Sequence, residues 1–472
     1  MSLAADAARE SKDLSISDRA RIHGSRRFAW ALGGIVVIAI VARILFILGW
    51  TWGAPLHGDP LFFHQSAARI AQGKGYVDRF LGQGPLVPTA EHPPAFSFLL
   101  AGLDLVHIRS VDAHRIALAF ISAGGVLAMG LFGRRLAGPG VGLFAAGIAA
   151  LDPLWVQQGG FLMSESLYLV IVPTMLLFAL RCIDRPNRWD FLVLGFLIGI
   201  ATLTRSEAVD FVLLLGLVVV VLAVGPWRQR LVPAVAVLAG VGLFLVPWLV
   251  RNDIQLGSLT LSTDGGFTLS GSYSQDTFSP PSPEYGSFDE DNQFAAVVYI
   301  VKYEKPPDHA GHWTEATLSD AIGNGATNYA RGHLSDLPGV VLAREGRAWG
   351  LYAPGTQLHY DVTEDLNGAA GPKEAGQIMN WVLLPFACLG VIQLARCSKR
   401  RLLVVLVPIV VVALNAAVFY GSTRLRVAAE PSIDVLASIG LLWAVASGAH
   451  RARAVGRPYA AGPSVRSGRA AR

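Results

Sequence analysis

The feature that most constrains this sequence is a series of apolar blocks, each about 20 residues long, separated by polar stretches. An α-helix of that length crosses the hydrocarbon core of a bilayer. Helices and closed barrels are the two structures that satisfy their backbone groups in lipid, and these blocks lack the alternation of barrel strands. Only 15% of the residues are charged, against about 25% in soluble domains. The sequence therefore predicts an all-α polytopic membrane protein.

We expect about ten transmembrane helices, with a range of about 9–13. The predicted segments are 28–50, 113–133, 139–153, 161–181, 190–204, 207–224, 231–250, 377–396, 401–420 and 428–447. The apolar stretch 94–108 is too short to span comfortably, so it is predicted to lie in or dip into the outer interface.

The distribution of basic residues indicates the orientation. If the N-terminus is cytoplasmic and 94–108 does not cross, 23 of the 39 Arg and Lys residues fall in cytoplasmic tails and loops. Few then fall in the short outer loops, as the positive-inside rule requires. We therefore expect a multi-pass protein of the inner (plasma) membrane, with both termini cytoplasmic and the loop 51–112 outside.

This topology divides the chain into five predicted parts. They are a basic cytoplasmic tail at 1–27, an N-terminal transmembrane catalytic module at 28–250, a small extracytoplasmic domain at 251–375, C-terminal transmembrane helices at 376–447, and a basic cytoplasmic tail at 448–472. Within the extracytoplasmic domain we predict short helices near 291–304, 316–331 and 338–350 and a turn at Gly265-Gly266. The net charge of +5 lies mainly in the tails and between the apolar blocks, which argues against a nucleic-acid partner.

The first outer loop contains the first candidate site residue, Asp59. Asp followed by Pro is typical of a helix start, so Asp59 is equally well interpreted as an N-cap. The functional alternative is a general base, or a carboxylate that holds a metal ion beside a phosphate. His64 follows one turn later and is expected on roughly the same face, either near an anionic group or as an ordinary interfacial histidine.

The same loop ends in the sequence Glu91-His92-Pro93-Pro94. Consecutive prolines restrict the backbone, and the residue before proline is held extended. The sequence therefore presents Glu91 and His92 rigidly where the chain meets the membrane, unless it is a simple turn into the next helix.

Further ionisable residues stand at the outer ends of predicted helices. One charge at a helix end is usually solvated, but several here enter the apolar blocks themselves, where charges are costly and face a protein interior or cavity. Arginine suits a phosphate or diphosphate group. We expect substrate binding by Glu165, Arg205, Arg251, Asn252, Arg424 and Arg426.

Taken in order, these residues resemble a known family. The motifs are Gly58-Asp59-x4-His64, Gly73-x-Gly75-Tyr76, Glu91-His92-Pro93-Pro94, Met163-Ser164-Glu165, Leu203-Thr204-Arg205-x-Glu207, Pro247-Trp248-x2-Arg251-Asn252, Ser262-Thr263-x-Gly265-Gly266 and Thr423-Arg424-x-Arg426-x3-Glu430-Pro431. The set is similar to membrane glycosyltransferases of the GT-C fold, glycosyltransferase family 39 and relatives. These include protein O-mannosyltransferases and the aminoarabinose transferase of lipid A. High Ala, Gly, Val and Arg content suggests an actinobacterial member.

The resemblance implies an inverting transfer of a hexose or pentose from a polyprenyl-phosphate donor to an acceptor hydroxyl. It assigns catalytic roles to Asp59 and Glu91 and substrate-binding roles to the residues above, His64 and His92 among them. The lipid A enzyme has lysine where this chain has His92, so the phosphate-holding role of that position is open. Arg205, Arg251 or Arg424 could supply the positive charge instead.

Several alternatives stay open. The main one is a transporter or flippase of polyprenyl-linked glycans, but such proteins tend to show inverted repeats and mid-membrane charges. The acceptor could be a glycan, a lipid or a protein, in synthesis of a cell-envelope glycan, glycolipid or glycoprotein. No metal-ligand motif is evident and no cofactor is required, although a divalent cation could complete a loose site with a phosphate.

Overall fold

The computed structural model describes residues 25–223, 225–307, 312–364 and 370–455. The two basic tails predicted at 1–27 and 448–472 lie largely outside these residues. Residues 25–27 already belong to the first helix, and the backbone of the last helix continues to Val455.

In the part of the chain that the structure describes, eleven helices build the membrane region. They are α1 (Ser25–Thr51), α4 (Val111–Ala137), α5 (Pro139–Leu151), α6 (Pro153–Gly160), α7 (Glu165–Asp184), α8 (Arg188–Thr204), α9 (Ser206–Ala223), α10 (Leu231–Leu256), α17 (Ala370–Cys397), α18 (Lys399–Val418) and α19 (Glu430–Val455). Within the described residues, eight are long and apolar enough to cross a membrane, or up to nine if α5 and α6, bent by 58°, form one broken span. Helix α8 has 17 residues and is slightly shorter than these eight helices. The predicted polytopic α-helical membrane fold is confirmed.

The first outer loop folds into two short helices and a hairpin. Its elements are α2 (Gly58–Ala71), β1 (Val77–Arg79), β2 (Leu86–Pro88) and α3 (Ala95–Leu105). The strands are antiparallel, with Asp78 opposite Val87. Helix α3 has 11 residues, which extend about 17 Å, too little to cross a bilayer core of about 30 Å. It packs against α2, as expected for an element that does not span.

The polar stretch between α10 and α17 is also helical. It contains α11 (Asp264–Ser272), α12 (Gln275–Phe278), α13 (Glu290–Tyr303), α14 (Glu315–Gly332), α15 (Leu337–Ala348) and α16 (Pro354–Glu364). Helices α13, α14 and α15 correspond to the three that the sequence predicts.

The predicted turn at Gly265-Gly266 is wrong, because both residues lie in the first turn of α11. A Cβ atom at Gly266 would lie 1.9 Å from the carbonyl oxygen of Ser319 in α14. Glycine is therefore needed there for close helix packing, which local sequence does not distinguish from a turn.

The bundle core is formed by helices that pack closely along their length. Helix α8 lies against α10, α17 against α19, and α4 against both α5 and α7. Gly195 of α8 faces the carbonyl oxygen of Val237 in α10, where a Cβ atom would lie only 2.0 Å away. Small residues of this kind permit close backbone approach in membrane proteins. The result is a rigid frame whose helix ends hold the loops described next.

Candidate active site

A polar cavity of about 390 Å³ lies where the first outer loop meets one end of the helix bundle. The first outer loop contributes the start of α2 and the Glu91-His92 segment to its walls. The bundle contributes the junctions before α7 and between α8 and α9, and the segment between α18 and α19. Helices α11 and α13 complete the walls. The lining includes Asp59, Glu91, His92, Ser164, Arg205, Glu207, Asp264, Glu290, Gln293, Tyr420 and Arg424.

Asp59 is not an N-cap. Helix α2 already begins at Gly58, His57 is the residue at the cap position, and no side chain caps the helix there. The Asp59 carboxylate instead accepts a hydrogen bond from Arg424 Nη2 at 2.8 Å, and His92 Nε2 lies 3.3 Å from its other oxygen. The carboxylate is therefore directed into the cavity and held by two cationic groups.

Arg424 and Arg205 meet on the carboxylate of Glu165. Arg424 Nε and Arg205 Nη1 each lie 2.5 Å from Glu165 Oε1, and Arg205 also pairs with Glu207. Glu165 is fully buried at the start of α7. A buried carboxylate is stable only when it is paired, so Glu165 fixes the two guanidinium groups side by side at the cavity wall.

The protonation of Asp59 and His92 is set by their mutual contact. Burial disfavours the charge of Asp59, but His92 and Arg424 outweigh burial and hold the pKa of Asp59 well below its usual range. Burial lowers the pKa of His92, but Asp59 and Glu91 outweigh it and raise that pKa to about 9. At neutral pH the pair is therefore carboxylate and imidazolium.

Glu91 differs from Asp59 in its proton affinity. About half of its side-chain surface is exposed, but that surface opens into the concave cavity rather than onto a free loop. Enclosure, followed by repulsion from Asp264, Glu315 and Asp59, outweighs the attraction of His92 and raises the pKa of Glu91 to about 7. Glu91 can consequently exchange a proton near neutral pH.

Of the predicted site residues, the structure brings Asp59, Glu91, His92, Glu165, Arg205 and Arg424 together. His64 lies elsewhere: its Nδ1 is 3.2 Å from Nδ1 of His114, which in turn contacts Asp104. The expectation that His64 shares a face with Asp59 fails, because a spacing of five residues directs the two side chains to different sides of α2, and His64 faces α4.

Arg251 and Asn252 do not line the cavity either. Arg251 donates to the backbone carbonyl oxygens of Thr89 at 2.6 Å and Tyr76 at 2.7 Å. Asn252 accepts from Arg251 and donates to the carbonyl oxygen of Thr260. Arg251 thus holds the base of the hairpin to α10, and Asn252 joins Arg251 to the segment after α10.

Arg426 is likewise turned away from the cavity. Its Nε donates to Oε1 of Glu430 at 2.6 Å, and both side chains are about 2% exposed. The turn Thr423–Ala428 thus directs Arg424 into the cavity and Arg426 into the bundle.

Sequence reasoning missed Asp264 as a site residue. It is the unspecified residue of the Ser262-Thr263-x-Gly265 motif, and it lines the cavity with Glu91. Burial raises its pKa despite the opposing charge of His92. Its position inside a motif already considered relevant was the available signal.

An apolar groove of about 950 Å³ runs beside this site at the level of the bundle. It is lined by Tyr76, Phe98, Leu203, Phe244 and Trp248, among others, with Lys74 and Arg251 at its polar end. Leu203 and Pro94, which line the groove, directly adjoin Thr204 and Pro93, which line the cavity. The polar and apolar spaces therefore meet at these two points.

The cavity does not present a preformed metal cage. Among the described residues, its His, Asp and Glu side chains do not place three donor atoms within 4.8 Å of one another. Asp59, for which metal binding was one of the alternatives, is engaged by Arg424 and His92.

Comparison with known proteins gives one family match. Residues 91–250 match the model of the family described as dolichyl-phosphate-mannose-protein mannosyltransferase. No curated protein matches the chain.

Solved structures show a similar fold. The oligosaccharyltransferase of Archaeoglobus fulgidus, tethered with an acceptor peptide that contains the NVT sequon, is 14% identical with a TM-score of 0.53, covering 93% of this chain and 52% of that one. The same enzyme in complex with Zn and sulfate is 13% identical with a TM-score of 0.50, and the match covers 91% of this chain and 51% of that one. ArnT from Cupriavidus metallidurans bound to undecaprenyl phosphate is 16% identical with a TM-score of 0.38, and the match covers 89% of this chain and 79% of that one. This chain spans about half the length of the oligosaccharyltransferase that it matches.

Proposed function

We propose that this chain, which has the GT-C fold of membrane glycosyltransferases, moves a sugar from a polyprenyl-phosphate donor to an acceptor hydroxyl. The reaction takes place at the outer face of the cytoplasmic membrane, with inversion at the anomeric carbon. The matched family is described by a dolichyl-phosphate sugar donor, and the similar oligosaccharyltransferase was solved with an acceptor peptide. Both support a lipid-linked donor and a separate acceptor.

One observation carries the proposal: two carboxylates and two guanidinium groups line one cavity beside an apolar groove. Asp59 and Glu91 provide the carboxylates, and Arg205 and Arg424 provide the guanidinium groups. Such an arrangement suits a substrate with a lipid tail, a phosphate and a sugar.

The donor phosphate binds Arg424 and Arg205. Glu165 already holds these side chains in place, so little ordering is needed when an anion arrives. Two guanidinium groups form strong charge-assisted hydrogen bonds with phosphate oxygens. The polyprenyl chain extends from this point into the apolar groove and the surrounding lipid.

In the reaction, the acceptor oxygen attacks the anomeric carbon and the bond from that carbon to the phosphate oxygen breaks. The bonding electrons leave with the polyprenyl phosphate, which gains one negative charge. Arg424 and Arg205 stabilise this new charge, the type of contribution that is often the largest in enzymes. The acceptor proton passes to a carboxylate.

Asp59 receives that proton. In the absence of donor its proton affinity is low because Arg424 and His92 pair with it. A phosphate that engages Arg424 weakens the pairing with Asp59 and raises the proton affinity of the carboxylate. Asp59 therefore becomes an effective base once the donor is bound.

Glu91 is a second candidate for the base, because its pKa of about 7 already matches neutral pH. The two carboxylates predict different pH profiles, since ionisation of Asp59 is complete well below neutrality. The Glu91 variant described in the Discussion separates them.

The transporter alternative explains the position of the charged residues less well. The paired charges lie at one end of the bundle, at the junctions before α7, after α8 and before α19. Alternating access requires a site near the middle of the membrane, whereas a reaction between a lipid-linked donor and an external acceptor requires a site at one surface.

The test is Asp59→Asn, with membranes incubated with a labelled polyprenyl-phosphate sugar and cell-envelope glycans analysed in parallel. We expect transfer to fall about 10²–10⁴-fold, because the general base is lost, while protein level and membrane insertion stay unchanged. Asp112→Asn is the matched control, since Asp112, in the first turn of α4, also pairs with an arginine, Arg115, but does not line the cavity. Full activity of Asp59→Asn would refute the assignment.

A further inference from the structure

Three buried carboxylates form a second cluster, away from the proposed active site. Asp152 lies at the break between α5 and α6, and Glu430 and Asp434 lie in the first two turns of α19. One oxygen from each lies within 4.8 Å of the others, the one such group in the part of the chain that the structure describes. Their exposed fractions are 2%, 2% and 0%.

The charges of this cluster do not balance. Arg426 pairs with Glu430 through Nε at 2.6 Å. Arg43 is fully buried, donates to Ser122 and to backbone carbonyl oxygens, and acts on Asp152 only at longer range. Arg426 offsets the charge of Glu430, which leaves the charges of Asp152 and Asp434 without a direct ion-pair partner among the described residues. Two unbalanced charges inside a membrane bundle are costly, and a divalent cation carries the charge that offsets them.

Asp434 indicates what supplies that charge. Neither of its carboxylate oxygens has a hydrogen-bond partner among the described residues, although the side chain is fully buried. The buried indole N–H of Trp155 faces Asp434 without meeting hydrogen-bond geometry. A buried acceptor without a partner costs about 1–3 kcal/mol. A proton would occupy one oxygen and leave the other unsatisfied, whereas a metal ion contacts both.

The spacing agrees with a metal ion. Oxygen ligands stand about 2.0–2.6 Å from Mg²⁺ or Ca²⁺, so two ligands of one ion are separated by up to about 4–5 Å. The 4.8 Å limit of this cluster falls in that range.

We propose that Asp152, Glu430 and Asp434 bind one divalent cation of the hard, oxygen-preferring class. One oxygen of Asp152 continues to cap α6 by accepting from the backbone N–H of Leu154 at 2.8 Å. The ion joins the break between α5 and α6 to the start of α19. The turn that carries Arg424 directly precedes α19, so the ion also holds that turn in place.

A cavity lined by Leu154, Gln157, Arg424 and Arg426 lies next to both the helix break and the turn before α19. Its lining does not include the three carboxylates. This inference does not depend on the proposed sugar transfer.

The test uses the purified full chain in detergent, treated with EDTA and then titrated with Mn²⁺ as the probe. Bound Mn²⁺ is measured by electron paramagnetic resonance, and stability by the thermal unfolding midpoint. We expect one tightly bound ion per chain and a higher midpoint with Mn²⁺ than with EDTA. Asp434→Asn should weaken binding by at least about 10-fold, the lower range for loss of groups that support a metal.

Two further variants make the result specific. Asp152→Asn removes one ligand charge while asparagine still caps α6, so it should also weaken Mn²⁺ binding even if Asp434→Asn folds poorly. Asp264→Asn removes a carboxylate from the outer cavity and should bind Mn²⁺ as the native chain does. The proposal is overturned if the native chain does not bind Mn²⁺ tightly, or if both cluster variants bind it as the native chain does. It is also overturned if Asp264→Asn loses Mn²⁺ binding.

Discussion

Arg424 and Arg251 look alike in the sequence but have different surroundings in the structure. Both follow the end of an apolar block, and both were predicted to bind substrate. Arg424 contacts the carboxylates of Asp59 and Glu165 inside the cavity. Arg251 contacts the carbonyl oxygens of Tyr76 and Thr89 and stacks over Trp248.

The partners of the two arginines explain the difference in role. A guanidinium group paired with carboxylates can exchange them for a phosphate, because both are anions that bind in the same geometry. A guanidinium group bound to main-chain carbonyls satisfies buried acceptors and would leave them unpaired if it moved. Arg424 is therefore suited to a ligand, and Arg251 to holding the hairpin beside the cavity.

Of the variants that compare the two arginines, Arg424→Gln is expected to have the largest effect. Loss of one preorganised charge stabiliser typically reduces kcat by about 10²–10³-fold, so transfer from a polyprenyl-phosphate sugar should fall by that factor. Arg424→Lys should recover only part of the activity, because one ammonium group cannot contact Asp59, Glu165 and a phosphate in the geometry of a guanidinium group.

The measurement is the initial transfer rate in membranes with matched protein levels. Arg251→Lys serves as the control, since it keeps the charge next to the groove but outside the cavity. Equal losses in Arg424→Lys and Arg251→Lys would remove the distinction between the two arginines.

A smaller effect, on stability, is expected for Arg251→Met. This change leaves the carbonyl oxygens of Tyr76 and Thr89 without the donor that Arg251 provides. A buried acceptor that loses its donor lowers the free energy of unfolding by about 1–3 kcal/mol. The thermal unfolding midpoint in detergent should fall, while KM for the donor stays close to the native value at temperatures where the variant is folded. A raised KM with unchanged stability would instead place Arg251 in the substrate site.

The smallest expected effect is a change in the pH dependence of the transfer rate when Glu91 is replaced. Its pKa is raised to about 7, so below that pH the folded protein carries a protonated Glu91. If Glu91 is the base, the rate falls with decreasing pH, reaching about one tenth of its plateau one pH unit below the pKa. Glu91→Gln would then remove this acid limb together with most of the activity.

If Asp59 is the base, the outcome differs. Glu91→Gln should keep most of the activity and show a kcat/KM for the donor nearly independent of pH between about 6 and 8. The reason is that kcat/KM reports the free protein, in which Asp59 is ionised throughout that range. Above about 9 the imidazolium of His92 loses its charge, and the rate should change in both cases. The pH profiles of the native chain and the variant therefore distinguish the two carboxylates.

His92 shows how far local sequence could be interpreted. The prolines after it predict a rigid presentation beside Glu91. Its role was open, because a phosphate ligand and a partner for a carboxylate are equally consistent with a lone histidine. In the structure its ring packs against Phe62 and Phe63 and its Nε2 faces Asp59, so it keeps Asp59 ionised in the free protein.

His64 and Gly265-Gly266 show where local interpretation failed. His64 comes five residues after Asp59, which at about 100° per residue places the two side chains about 140° apart around α2, so His64 points away from the cavity. Glycine pairs occur both in turns and in close helix contacts, and only the position of α14 identifies the second case.

The sequence by itself determined the membrane class, the positions of the spanning helices and the short outer helices. Hydrophobic length and local backbone preferences are properties of neighbouring residues, and these decide such features. The tertiary structure alone decided which charged residues meet. Asp59 and Arg424 are separated by 365 positions, and their contact depends on how α2, α7 and the turn before α19 pack at one end of the bundle.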